Sequence, residues 1–504
     1  MADRHVVLVL CRAVFRFFLS ALLWAGGALA QPNIVVIVAD DVGVGDVGYN
    51  GSEIATPNLD RLAAEGVVLD RFYTASQCSP SRAALLTGRY GLRMGISEPI
   101  GWADTLGLPD REETMAELLR AVGYETAIVG KWHLGRQCHQ HPSRHGFDSF
   151  VGLLGSGANY STRDTPVGLD WWRGVQPERG EGYTTDLIAE EAVRLLRRPR
   201  DSPLFLYLPF TASHGPLGAR PEDLARYESS GEPRRTFAAI TTRLDWAVGQ
   251  VMDAVRTSGE PTLVWFLSDN GGHPDHGGSN RPLRGWKGQS WEGGIRVPSV
   301  VWYPSWGSRT VEHPVWSLDV LPTVLALAGG ASPTLPLDGV DQSAQLSGAP
   351  PTDVLLDRVF TTLRRAHGTD GFWVSAQTAE WKYVLWPGRP GPPERLFHIS
   401  LDPEERADSL AFYPDRASAL RDHAFAFAAL VGPGATHDQS LTEDFVVDFT
   451  SCGGGVAPLT ATAAHDSPVD YDGWVRVGVV ALLAALCLVL GFVAGRGRSV
   501  SGKA

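Results

Sequence analysis

The sequence predicts an α/β domain built on a mainly parallel central sheet. Four short, continuous apolar runs, NIVVIV (33–38), TAIV (126–129), PLFLYLP (203–209) and TLVWFL (262–267), have the character of strands buried on both faces. Between them lie segments of helical period, TPNLDRLAAEG, ETMAELLRAVGY, TTDLIAEEAVRLLRR and AAITTRLDWAVGQVMDAV. Strands that alternate with amphipathic helices make a parallel sheet covered by helical layers.

In chain order, the first segment, 1–30, reads as a signal peptide. It has Arg4, Arg12 and Arg16, then the apolar run FFLSALLWAGG, then Ala28-Leu29-Ala30 before Gln31. The main α/β domain follows over 31–350. A smaller C-terminal α+β subdomain is expected over 351–431, where FWVSAQTAEWKYVLW and RLFHISLD suggest antiparallel strands and RASALRDHAFAFAALV a closing helix. Residues 432–475, rich in Gly, Ala, Thr, Ser and Asp, read as a flexible stalk. The span 476–495 contains VGVVALLAALCLVLGFVAG, long enough to cross a bilayer as a helix. Basic residues follow it (Arg496, Arg498, Lys503) and acidic ones precede it (Asp466, Asp470, Asp472), so 496–504 is expected as a short basic cytosolic tail and the body as lumenal or extracellular. The rival reading is a removed lipid-anchor signal with its small-residue site at 451–455, against which the charges after the run and the overlong spacer count.

Charge and cysteine usage narrow the function class. The formal net charge of -12 leaves no general basic surface for nucleic acid, so no nucleic-acid partner is expected. An anionic substrate must be drawn by a local basic cluster, against the sign of the whole. Of the 5 cysteines, Cys11 lies in the signal peptide and Cys487 in the membrane run, which leaves Cys78, Cys138 and Cys452. A disulfide scaffold is excluded; if Cys78 is used chemically, the single bridge is Cys138 to Cys452.

The residues just past each strand carry the chemistry. NIVVIV is succeeded by Asp40-Asp41, TAIVG by Lys131-Trp132-His133, PLFLYLPF by a loop reaching His214, and TLVWFLS by Asp269-Asn270. In an open α/β sheet ligands bind beyond the carboxyl ends of the strands, so these clusters are expected to share one crevice. Asp40, Asp41, Asp269 and Asn270 offer only oxygen donors, which suits calcium or magnesium and suits zinc poorly. Beside that cation Lys131, His133, His214, Lys287 and Arg284 are expected, a set fitted to bind a tetrahedral oxyanion and move protons around it.

The stretch CSPSRAALLTGR (78–89) resembles the signature of the type I sulfatases, in which that cysteine is oxidised to formylglycine by a separate enzyme. The likeness extends through PNIVVIVADD, ATPNLDRLAAEG, GKWHLG, SHGPL, SDNGG and WEGGIRVP, and more weakly through LFHISLDPEE. Within the family, GSGANYS, the block GGSNRPLRG (277–285) and SWEGG are most similar to arylsulfatase B, the N-acetylgalactosamine-4-sulfatase, although the relatives of that type are cysteine-richer soluble enzymes.

The resemblance implies an alkaline-phosphatase-like three-layer sandwich with a C-terminal antiparallel sheet. It implies hydrolysis of sulfate monoesters of aryl alcohols or sugars, N-acetylgalactosamine 4-sulfate among them. It makes the metal calcium, held by Asp40, Asp41, Asp269 and Asn270 with the modified Cys78 beside it. The partners implied are the sulfated substrate, a formylglycine-generating enzyme during biosynthesis, and the membrane through the C-terminal helix. An aldehyde at position 78 hydrates to two hydroxyls on one carbon: one attacks sulfur and the other later expels sulfate, a release that a plain serine lacks. By similarity Asp269 is the base for the attacking hydroxyl, Lys131 and Lys287 hold sulfate oxygens, and Arg82 steadies the diol. His214 protonates the leaving alcohol, His133 takes the proton in the elimination, and Ser156 hydrogen-bonds near the diol.

Pro80 suits a first helical turn and Ser79 its cap, which puts residue 78 just before a helix N-terminus. Asn50 and Asn159 head glycosylation sequons, in keeping with a lumenal protein at the cell surface, lysosome or another endomembrane. His273 and His276 read as solvated loop histidines. Two other readings stand beside the sulfatase one: a phosphodiester or phosphonate hydrolase on the same scaffold, and a binding protein with unmodified Cys78.

Overall fold

The run NIVVIVA forms strand β1 (Asn33–Ala39), buried along its whole length near the middle of a ten-stranded sheet. The computed structural model describes residues 31–102, 104–330, 332–365, 372–386 and 393–431. The other strands of that sheet are β2 (Val67–Leu69), β3 (Glu125–Lys131), β4 (Ser149–Leu153), β5 (Trp172–Arg173), β6 (Gln176–Pro177), β7 (Leu204–Pro209), β8 (Thr262–Ser268), β9 (Ser299–Trp302) and β10 (Arg309–Val311). Their spatial order is β10-β2-β9-β8-β1-β7-β3-β4-β5-β6. The central run from β8 to β4 is parallel throughout. β9 joins β8 antiparallel on one side, and β5 joins β4 antiparallel on the other.

Alternation along β1 divides the core into two faces. Ile34, Val36 and Val38 pack with Leu85 and Leu86 of helix α2 (Cys78–Thr87) and Leu118 and Leu119 of α3 (Met115–Ala121). Val35, Ile37 and Ala39 pack with Leu59 of α1 (Pro57–Glu65), Ile188 of α4 (Thr184–Arg197), and Leu244 and Val248 of α5 (Arg234–Ser258). The result is a three-layer α/β/α sandwich, as the strand runs and the family likeness both imply. Local signals agree with the tertiary ones at α3, where Thr114 and Glu117 form a capping box through Glu117 N to Thr114 Oγ1 (3.2 Å) and Thr114 N to Glu117 Oε2 (2.8 Å).

A second, antiparallel sheet of β11 (Phe360–Arg365), β12 (Phe372–Gln377), β13 (Lys382–Leu385) and β14 (Glu394–Phe397) follows in that order. Helix α6 (Pro414–Val431) closes one face of it, burying Ala417, Leu420 and Ala424 against Val374, Ala376, Tyr383 and Leu396. On the other face Trp373, Val384, Phe397 and Ile399 enclose Trp291 of the main domain. β11 is absent from the sequence expectation, because FTTLRR shows neither an unbroken apolar run nor clean alternation.

Cys78 is free and buried, and Cys138 is disulfide-bonded. Its expected partner Cys452 lies outside the described residues, as do the signal peptide, the stalk, the span 476–495 and the basic tail. No helix among the described residues is long and apolar enough to cross a membrane.

Candidate active site

The parallel register sets the strand ends level. Ala39 pairs with Ser268, so Asp40 and Asp269 leave the sheet side by side, and Asp41 N donates to Asp269 Oδ1 (3.3 Å). Asp41 takes a left-handed backbone (φ 62°), one of the conformations that an aspartate tolerates and that concentrate at functional sites. The loop after β7 is tied to the same point, since Asp40 N donates to Ala212 O (2.9 Å) and Ser213 N to Asp40 O (2.6 Å). This brings His214 Nε2 to 3.9 Å from Asp41 Oδ2. Lys131 closes β3, and its Nζ donates to Asp40 Oδ2 at 2.6 Å.

The remaining contributors come from further along the chain. Arg82, fully buried on α2, grips Asp269 Oδ2 through Nε (3.1 Å) and Nη2 (2.8 Å), and donates Nη1 to Lys131 O (3.0 Å). Lys287 reaches Asp41 Oδ1 at 2.6 Å, and Asn270 Nδ2 reaches the same oxygen at 2.7 Å. Cys78 stands at the first turn of α2. Burial pushes its thiol up, the Lys131 and Lys287 cations pull against that, and Asp269 and Asp40 reinforce it. Asp40, Asp41, Cys78, Arg82, Lys131, His214, Asp269, Asn270 and Lys287 therefore converge in one place.

Burial, with Asp40 adding to it, pushes Asp269 up to about 6 despite Arg82 and Lys131. Asp41 goes the other way, because Lys287 and His214 outweigh its burial and hold it far below the usual carboxylate range. Burial depresses both His133 and His214, helped by Lys131 and Arg82 at the first and by Lys287 and Lys131 at the second. His133 Nε2 faces Ile100 O (3.0 Å), so that nitrogen carries the hydrogen and the unpartnered Nδ1 is the basic one. The ring of His214 is set by the converse contact, Nδ1 to Gly215 O (2.5 Å), which leaves Nε2 toward Asp41.

The acidic cluster fits a hard cation. Asp40 Oδ1, Asp41 Oδ2 and Asn270 Oδ1 are buried without hydrogen-bond partners, a costly state for three oxygens that a metal resolves. Donor atoms of Asp40, Asp41 and His214 lie within 4.8 Å of one another. Since most donors are oxygen, the set matches calcium or magnesium chemistry better than zinc.

Two expectations change. Ser79 does not cap α2: the helix starts at Cys78 with Gln77 before it, and Ser79 Oγ donates to His133 O (2.9 Å) and accepts from Ile100 N (3.0 Å). Its hydroxyl thus fixes the His133 loop, a tertiary contact that outcompetes a local cap. Arg284 turns away from the cation site, laying its guanidinium 3.9 Å over the Trp291 ring and donating to Glu405 O (3.1 Å).

Ser156 is half-buried on a loop whose Gly157 lies against His214, where an added Cβ stands 3.1 Å from Nδ1. Asn50 and Asn159 are both exposed. His273 and His276 are half-buried and close to the site: their rings stack at 4.9 Å, and His276 stands 6.2 Å from His214. Their position immediately after SDNGG was the available signal.

Comparison with known proteins gives this geometry a lineage. A family model described as Sulfatase matches residues 32–331. The chain belongs to the sulfatase family. This sulfatase is 35% identical over 444 residues to arylsulfatase J of Mus musculus, covering 76% of this chain and 74% of that one. It is 37% identical over 357 residues to N-acetylgalactosamine-6-sulfatase of Mus musculus, covering 64% and 68%. Among solved structures, Ps i-CgsB in complex with k-i-k-neocarrahexaose matches with a TM-score of 0.74 at 30% identity, over 80% of this chain and 94% of that chain. The sulfatase is a sulfuric ester hydrolase of the alkaline-phosphatase-like fold. The narrower likeness to arylsulfatase B finds no specific support in these relatives.

Proposed function

We propose that this sulfatase hydrolyses sulfate monoesters at position 78, with Cys78 converted to formylglycine and calcium held by Asp40, Asp41, Asp269 and Asn270. The observation that carries the reading is the arrival of two buried ammonium groups, Lys131 and Lys287, on the Asp40–Asp41 pair beside Cys78. Formylglycine as its hydrate would supply a hydroxyl nucleophile, and calcium held by Asp40, Asp41, Asp269 and Asn270 would offset the acidic cluster and supply Lewis-acid stabilisation of the sulfate.

The chain's own residues do the rest. Lys131 and Lys287 hold sulfate oxygens as point charges in a site from which water is largely excluded. Asp269 takes the proton of the attacking hydroxyl, and Arg82 keeps that carboxylate oriented. His214, with Nδ1 committed to Gly215 O, presents Nε2 to the leaving alcohol and delivers a proton from there when the ring is in its imidazolium form. His133 receives a proton at Nδ1 during release of sulfate. Ser156 is assigned to the mouth of the site beside His214.

A sulfated sugar is favoured as substrate. One relative is an N-acetylgalactosamine-6-sulfatase, and the structural neighbour is complexed with neocarrahexaose. The disulfide at Cys138 and the exposed sequon residues Asn50 and Asn159 support a lumenal or extracellular domain. Initial rates on an aryl sulfate and on an aryl phosphate diester test the reaction class. Turnover of the sulfate at least about 100-fold faster in kcat/KM supports the proposal, and the reverse order replaces it by a phosphodiesterase.

A further inference from the structure

We propose that Glu405, in the C-terminal subdomain, is a positioning residue for Lys287, clasping both ends of the loop that carries this sulfate-binding amine. The inference rests on the reading of Lys287 given above and extends the site to a residue on the far side of the domain contact.

Lys287 sits in the loop Arg284 to Glu292, whose ends are drawn together by Gly293 N to Arg284 O (2.7 Å). Glu405 takes hold of each end with a different group. Its carboxylate Oε2 accepts from Glu292 N at 2.8 Å, and its backbone carbonyl accepts from Arg284 Nη1 at 3.1 Å. Glu405 adopts a left-handed backbone (φ 55°), which a glutamate keeps only where its surroundings dictate it.

Lys382 of β13 completes the clasp. Its Nζ stands 2.9 Å from Glu292 Oε1 and 3.0 Å from Glu405 Oε1, with all three side chains fully buried. Glu292 Oε2 accepts in turn from Tyr73 OH (2.9 Å), and Arg296 Nη1 lies 3.8 Å away. The middle of the loop is held by Thr362 Oγ1 to Ser290 Oγ (2.9 Å), again from the C-terminal sheet. From the loop the chain of contacts runs directly into the site. Gly288 N donates to Ser76 O (2.7 Å), two residues before Cys78, Lys287 N donates to Gly272 O (3.3 Å), and Lys287 Nζ meets Asp41.

A lysine ammonium on a flexible stem binds sulfate only as well as its loop is placed, so loosening the clasp weakens substrate binding without touching the reacting groups. The experiment compares Glu405→Gln, Arg284→Met and the unaltered full-length sulfatase. It measures KM and kcat on an aryl sulfate, the Kd of inorganic sulfate, and the thermal midpoint. Glu405→Gln is expected to raise KM and the sulfate Kd together by about tenfold, with kcat within about threefold, because a contact common to ground and transition state is weakened. Arg284→Met, which loses the carbonyl contact and the stacking of the guanidinium on Trp291 but keeps the Glu405 carboxylate, is expected to raise both by about threefold.

A folded Glu405→Gln protein with a lowered midpoint but unaltered KM and Kd overturns the proposal and leaves a purely structural ion pair. Should Glu405→Gln not fold, Arg284→Met decides alone, and unaltered KM and Kd there overturn it. Failure of the unaltered protein to turn over aryl sulfate removes the sulfatase reading instead, while the sulfate Kd of the variants still decides the clasp.

Discussion

Arg82 does with one planar fork what no lysine can: it grips Asp269 twice and the carbonyl of Lys131 once, all in a fully buried position. Arg82→Met leaves Asp269 buried beside Asp40 without its counter-charge, so denaturant unfolding is expected to show a loss of about 3 kcal/mol or more. Cys78→Ala behaves oppositely. It abolishes aryl sulfate turnover while costing at most about 2 kcal/mol in the same unfolding experiment, because it removes one buried sulfur and no charge. Activity that survives Cys78→Ala contradicts the assignment of position 78. At this scale the candidate site is largely legible in the sequence, since Asp40, Lys131 and Asp269 each sit at or just past a recognisable apolar strand. Ser79 and Arg284 are not, because their partners, His133 O and the Trp291 ring, are brought in by tertiary folding. The stacked pair His273 and His276 reads as solvated because its place after SDNGG does not by itself show that the loop doubles back to His214.

Among elements, the parallel strands position the site by approaching unusually closely where glycines allow it. A Cβ on Gly130 falls 1.9 Å from Pro209 O of the neighbouring strand, and Gly130 has φ 131°. Gly130→Ala, one residue before Lys131, is therefore expected to destabilise the protein by about 2 kcal/mol or more and to displace Lys131, raising KM. Unfolding midpoints and steady-state kinetics check both effects. The ends of β1 and β8 gather Asp40, Asp41, Asp269 and Asn270, and the unpartnered buried oxygens of Asp40, Asp41 and Asn270 suit a cation. Chelation is expected to lower the thermal midpoint, and calcium at about 100 times its Kd to restore about 2.7 kcal/mol of stability. The buried strands are readable as unbroken apolar runs and the long amphipathic helices from their period. The two-residue strands β5 and β6 are not, because pairing of β5 with β4 and of β6 with β5, and not propensity, makes them strands.

For the molecule as a whole, the three-layer sandwich buries α2 completely, from Cys78 to Thr87. The conversion of Cys78 proposed above would therefore have to precede the folding of this helix, which leaves position 78 buried beside Lys131 and Lys287. The C-terminal subdomain, read from the sequence as a smaller appended unit, also reaches the loop of Lys287 through Glu405 and Lys382. That contribution is illegible in the sequence because it depends on buried charges meeting across distant parts of the chain. The most direct measurement is the mass of the tryptic peptide Phe72 to Arg82 from protein made in a secretory pathway that contains the formylglycine-generating enzyme. Conversion of Cys78 makes the expected peptide lighter by about 18 Da, the difference between a thiol and an aldehyde. An unshifted peptide from protein that is active on aryl sulfates contradicts it.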